Sequence, residues 1–202
     1  MITYGTGYIA SEFDGTEHKY DPALAELPEE FDYRDTMPPV LNQGRTSKCV
    51  AYSLTSVLDW RVNRILGVNK SNGFDIDLLY AQRKDKTQEG MMIKTALGYL
   101  RHHGLGGHKI DSYALVGSDK ALKSALVANG PCVGALPVYK ENQRRDFWMG
   151  SEFAGGHCIT IVGYTTKGFI IRNSWGQSWC NKGHVVIPFY DFGKFYEIWT
   201  MQ

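Results

Sequence analysis

Apolar positions recur at helical spacing between Val50 and Ile65. Val50, Leu54, Val57, Leu58, Val62 and Ile65 form one stripe, and Gly67 stands where a helix would stop. The pattern predicts a long helix leaving a polar loop, with Ser47 as its N-cap and Cys49 about two residues inside it. Further helical patterns run from Asp75 to Lys84 through Ile76, Leu79, Tyr80 and Arg83, and from Met92 to His102 through Ile93, Ala96, Leu97 and Leu100. Another covers Ser118 to Asn129. After Gly130-Pro131 the character changes, and strands are predicted over 132–139, 157–164, 168–173, 184–188 and 195–200. Helices first and antiparallel strands second indicate an α+β chain of two lobes with a cleft between them. Residues 1–26 lack periodicity and read as an extended N-terminal arm lying on the body or on a partner. The domain proper then covers 27–202, with a helical lobe over about 27–112 and a β lobe over about 113–202.

Composition narrows the possibilities. A chain of 202 residues with 43% apolar content can bury a full core. Its formal charge is +1 and no basic block exceeds Arg144-Arg145, which argues against a nucleic-acid partner. No run of eighteen apolar residues is present and the first residues lack the pattern of a signal peptide, so no membrane partner and synthesis in a cytoplasm are expected. Virion association or export by a non-classical route is compatible with that start. Cys49, Cys132, Cys158 and Cys180 show no framework spacing and are expected to be reduced. No cofactor or metal is expected. Cys180 and His184 are four apart, but His157 and Cys158 are strand neighbours facing opposite ways and cannot chelate together. The aromatic tail from Phe189 to Trp199 reads as core, and Phe147-Trp148 as a pin holding a polar loop to the body.

The candidate chemistry centres on Cys49. A cysteine in the first turn of a helix meets unpaired backbone N–H groups and the positive end of the helix dipole, which favour thiolate. Thiol catalysis also needs a base, a group that orients the base, and donors for a developing oxyanion. Gly155-Gly156-His157 places a histidine where a glycine loop enters a strand, and Asn173 ends the next strand. A hairpin between the two would bring His157 and Asn173 within hydrogen-bond reach.

These residues, in this order, resemble the papain family of cysteine peptidases. The marks are Leu27-Pro28 through Arg34, Gln43-Gly44 with a cysteine six residues after the glutamine, Cys49-Val50-Ala51-Tyr52-Ser53, Gly156-His157, and Asn173-Ser174-Trp175-Gly176 with Trp179. The resemblance implies a two-lobed papain-like fold with a helical N-terminal lobe and an antiparallel, β-barrel-like C-terminal lobe. It implies peptide-bond hydrolysis through an acyl-thioester, with Cys49 as nucleophile, His157 as its imidazolium partner and Asn173 holding the imidazole under Trp175. The Gln43 side chain and the Cys49 N–H would form the oxyanion hole. Glu89, Gly90 and Met91, together with Gly156 and Trp175, would line the cleft and hold a polypeptide substrate in extended form.

Departures from the family pattern accompany the likeness. Thr46-Ser47-Lys48 and Val50 stand where the handful of residues around the nucleophile differ in papain itself, so the family's disulfide from that loop cannot form. Lys48 either lowers the thiol pKa or points to solvent. Cys49 to His157 is 108 positions (157 − 49) and to Asn173 is 124 (173 − 49), shorter than the roughly 130–150 of the family pattern. An arm of 26 residues is too short for the long helical propeptide of family zymogens. The alternatives are therefore a catalytically silent subunit anchored in an assembly, such as a virion, through the arm, and a cell-wall peptide hydrolase.

Overall fold

The central helix is present as α1 (Cys49–Leu66) in the computed structural model, which describes residues 4–22, 26–143, 148 and 150–202. Its N-cap is Lys48 rather than Ser47, and no side chain caps it. The Ser47 hydroxyl is drawn off to donate to the Glu89 carboxylate, so the helix begins one residue later and Cys49 is its first residue. α2 (Ile76–Tyr80), capped by the Asp75 carboxylate, is shorter than its pattern because the chain turns at Ala81. α3 (Ile93–His102) and α4 (Asp119–Asn129) follow the predicted spans closely, and Ser118 caps α4 through the Ala121 N–H at 3.1 Å.

Nine strands complete the described chain: β1 (Tyr8–Ile9), β2 (Phe31–Asp32), β3 (Met91–Met92), β4 (Tyr113–Leu115), β5 (Cys132–Tyr139), β6 (Phe153–Tyr164), β7 (Gly168–Arg172), β8 (His184–Pro188) and β9 (Glu197–Met201). The main sheet runs β4-β9-β5-β6-β7-β8 with antiparallel pairings, and β2 joins β6 off that path. Its ends, β4 and β8, do not pair with each other, so the sheet stays open and the expected barrel-like closure is absent. β6 starts earlier than its apolar run because Phe153 to Gly156 pair with Pro137 to Tyr139 of β5.

Alternation along the strands divides the core. Val133, Ala135, Cys158, Trp199 and Met201 face α1 and α3 and pack with Leu54, Leu58, Leu97 and Leu100. Leu136, Val138, Ile159, Ile161 and Ile198 face the other way and pack with Leu122, Ala125 and Leu126 of α4. Trp148 is buried, donates its indole N–H to the Pro137 carbonyl at 2.7 Å, and packs edge-on against Trp179. The Phe147 half of the expected pin lies outside the described residues. In the aromatic tail, Ile198 and Trp199 are core, whereas Tyr190 and Tyr196 are exposed.

Candidate active site

Where the N-terminus of α1 abuts β6, the chain brings its candidate residues into one place. His157 and Cys158 are neighbours on β6 and face opposite ways, as strand geometry requires. Cys158 turns toward α1, and its backbone N–H donates to Cys49 Sγ at 3.4 Å. His157 turns toward Trp175, with ring centroids 4.7 Å apart, and its Nε2 bonds Asn173 Oδ1 at 2.8 Å. The imidazole and the carboxamide are thus paired beneath the indole. Among the described residues His157 Nδ1 is buried without a hydrogen-bond partner, and no hydrogen bond joins the imidazole to the sulfur.

Gln43 sits across the site. Its Oε1 accepts from the Ser174 hydroxyl at 2.5 Å, its backbone N–H donates to the Ser174 carbonyl, and its Nε2 donates to the Thr46 carbonyl at 2.7 Å and to the Gly5 carbonyl at 3.2 Å. The loop before the nucleophile is thereby tied to the segment after Asn173. A carbonyl already stands at the donor assigned to the oxyanion.

That carbonyl belongs to the N-terminal arm, which threads the cleft. Tyr4 stacks on Trp175 at 5.0 Å, the Gly5 N–H donates to Gly44, and the Gly7 N–H donates to the Gly156 carbonyl at 3.3 Å. Gly7 in turn accepts from the Met91 N–H at 2.9 Å, and β1 continues as a parallel partner of β3. Glycine is required where the arm passes the nucleophile: an added Cβ would lie 2.1 Å from the Thr46 carbonyl oxygen at Gly5 and 2.1 Å from that of Ser47 at Gly7. Acidic arm residues add ion pairs, Glu12 with Lys84 at 2.6 Å and Glu17 with Lys94 at 2.5 Å. Gly90, Met91, Gly156 and Trp175 therefore all touch the arm, while the Glu89 side chain is engaged by Ser47.

The electrostatics follow from this burial. Cys49 is fully buried, and loss of solvent pushes its thiol up to about 11, although the N–H groups of Cys158, Val50 and Gly7 pull the other way. The expected bias toward thiolate at the helix N-terminus is outweighed by desolvation in this closed arrangement. Burial likewise pushes His157 down to about 4 against the opposing pull of Asn173. The pair is a neutral thiol beside a neutral imidazole. Lys48 points neither at the sulfur nor to open solvent: its ammonium pairs with Asp77 at 2.5 Å and lies 5.7 Å from the Tyr80 ring centroid.

Two features escaped the sequence. Ser174, the hydroxyl that orients Gln43, reads as an ordinary residue of the Asn-Ser-Trp run. The course of the arm carries one signal only, the alternation Gly5-Thr6-Gly7, which marks backbone passing close to other backbone.

Comparisons with known proteins bear on the sequence and the fold. A family model described as "Papain family cysteine protease" matches residues 101–190. Cysteine proteinase 3 of Entamoeba histolytica is 27% identical over 87% of this chain and 68% of the relative, and papain of Carica papaya is 26% identical over 90% and 62%. Mouse cathepsin K is 27% identical over 80% and 60%, so the chain spans about three-fifths to two-thirds of the length of these relatives. Among solved structures, xylellain, a cysteine protease from Xylella fastidiosa, superposes with a TM-score of 0.84 at 21% identity, covering 98% of this chain and 96% of that one. The Carica candamarcensis cysteine protease CMS1MS2 superposes with a TM-score of 0.70 at 19% identity, over 87% and 99%.

Proposed function

We propose that this chain, which resembles papain-family cysteine proteases in sequence and has their fold, hydrolyses peptide bonds in extended polypeptide, and that residues 4–12 must first leave the cleft. The observation that carries this reading is the His157–Asn173 hydrogen bond under Trp175, with Nδ1 left unpaired on a side chain whose neighbour's amide touches the sulfur.

With the arm gone, water enters and both shifts relax. The imidazole can take the thiol proton, and the thiolate attacks the substrate carbonyl carbon. The oxyanion is received by Gln43 Nε2, freed from Gly5, and by the Cys49 backbone N–H at the head of α1. The imidazolium protonates the leaving amine, and water then cleaves the acyl-thioester with His157 as base. Asn173 fixes the ring orientation through Nε2, so Nδ1 is the nitrogen that serves the sulfur. The cleft's backbone groups at Gly156 and Met91, which pair with Gly7 in the closed form, are suited to hold an extended substrate.

The arm's seat on its own cleft supports an intramolecular role for it over an anchor to an assembly partner. The test is labelling by E-64, the compound bound in the Carica candamarcensis structure. One molecule per chain, on Cys49 and lost in His157→Ala, is the expected result. A folded chain whose Cys49 stays unmodified even after the arm is removed overturns the reading in favour of a silent subunit.

A further inference from the structure

Arg172 ends β7 inside the body. It is 4% exposed, its Nε donates to the Ser56 hydroxyl at 3.1 Å, and its Nη2 donates to the Pro38 carbonyl at 2.6 Å. No carboxylate lies within ion-pair distance of it among the described residues. Asp59 is the acid whose charge it feels, yet that carboxyl is engaged by Asn72 through Oδ1 and is itself pushed up by burial. A guanidinium buried against neutral acceptors alone has most of its lost hydration uncompensated.

Beside it, between α1, β6 and the end of β7, lies a cavity of about 10 Å³, room for one small occupant. Ser53, Ser56, Thr160, Arg172, Asn173 and Ser174 line it, and no carboxylate does among the described residues. Free donors gather there. Asn173 is 2% exposed, and its Oδ1 bonds His157 Nε2 at 2.8 Å and accepts the Ser174 N–H at 2.8 Å, while its Nδ2 is buried without a partner among the described residues. Arg172 Nη1 has no hydrogen-bond partner among them either. The Ser56 hydroxyl, having accepted from Arg172, keeps its own proton to donate. The carbonyls of Ser53 and Ser174 are already engaged, by the Thr160 hydroxyl at 3.3 Å and the Gln43 N–H at 2.8 Å.

We propose that this cavity is a binding site for one monatomic anion of chloride's size, held by the Arg172 guanidinium, the Ser56 hydroxyl and the Asn173 carboxamide. A water would fill the space but leave the guanidinium charge unbalanced, and a cation would meet like charge. The anion accepts from Asn173 Nδ2 while Oδ1 keeps His157 Nε2, so the occupant holds the carboxamide against rotation by half a turn and fixes the imidazole through it. The site belongs to the body of the chain and does not rest on the peptidase reading.

The test follows melting of the full chain by circular dichroism in sodium chloride, sodium bromide and sodium gluconate at matched ionic strength, gluconate being too large for the cavity. Chloride at about tenfold above its Kd is expected to raise Tm by about 4 °C over gluconate, and bromide to act alike. Arg172→Gln removes the charge, and Asn173→Asp replaces the amide donor with an isosteric carboxylate; each should abolish the difference between chloride and gluconate. A crystal of the wild type grown in sodium bromide should show one anomalous peak between Arg172 and Asn173, a reading that stands even where Arg172→Gln fails to fold. Equal Tm in chloride and gluconate, a chloride response that survives either substitution, or a cavity that holds an ordered water only overturns the proposal.

Discussion

If the arm is what silences the thiol, a single methyl group on it should wake the site. In Gly7→Ala the new Cβ would sit 2.1 Å from the Ser47 carbonyl oxygen, where ordinary contact is 3.4 Å or more, and neither backbone can yield easily because Ser47 leads directly into α1. Displacing Gly7 removes its bonds to Gly156 and Met91 and loosens the Gln43–Gly5 bond, at about 1 kcal/mol each, so the closed arrangement loses about 3 kcal/mol, or over a hundredfold in population. Readmitted solvent lets the thiol fall from about 11 toward its ordinary 9.0. At pH 7 the thiolate fraction then rises from about one in ten thousand to about one in a hundred, before any contribution from the imidazole. Alkylation of Cys49 by iodoacetamide at pH 7, read by intact mass and peptide mapping, should therefore accelerate by about a hundredfold. Cys180, only partly buried, is the internal reference, and Gly117→Ala, whose Cβ meets nothing within 4 Å, is the control substitution. A Gly7→Ala chain that is folded, shows unchanged Cys180 labelling and modifies Cys49 within about threefold of wild type would refute the idea that the arm controls the sulfur.

Three further outcomes are expected. Gln43→Ala in an arm-displaced chain removes one oxyanion donor and should lower kcat by about 10² to 10³ with little change in KM; an unchanged kcat assigns Gln43 to loop structure alone. Acid should loosen the closed chain: burial holds His157 and His184 at about 4 against an ordinary 6.5, so their neutral forms contribute stability above pH 6.5 that is lost as pH falls from 6.5 toward 4, by up to about 1.4 kcal/mol per pH unit for each. Melting followed by circular dichroism should show Tm falling over that window, with part of the slope removed in His184→Asn. Leu54→Ala, on the fully buried face of α1 against the sheet, should cost about 2 to 5 kcal/mol in urea denaturation without altering the position of the folded chain's Cys49 chemistry.

Much of the fold is written in local pattern, because α1, α3, α4 and the strands from β5 to β8 each carry a periodicity that tertiary contacts do not have to override. The departures arise where a distant group intervenes. Ser47 has the side chain of a cap, but Glu89, forty-two residues away, takes its hydroxyl. Phe153 to Gly156 extend β6 because β5 offers free backbone, and nothing in their side chains announces it. Cys49 and Asn173 are legible because each stands where a loop meets an element, and Gln43 and His157 because a glycine stands beside each.

Their charge state is another matter. A sequence places Cys49 at the positive end of a helix, yet whether that field prevails depends on what covers the sulfur, and the cover comes from residues 4–9 folding back across some forty positions. The same dependence hides Glu197, which reads as one acidic residue within an aromatic tail. Only the register β9-β5-β6 sets it in line with Cys158, where its buried carboxylate accepts the Ser11 N–H of the arm and the Trp199 indole N–H. The arm is informative for this reason: by filling the groove with its own backbone and one tyrosine, it records which body groups a bound chain can reach. The donors at Gln43 and Met91 and the acceptor at Gly156 are the groups that a substrate would meet in its place.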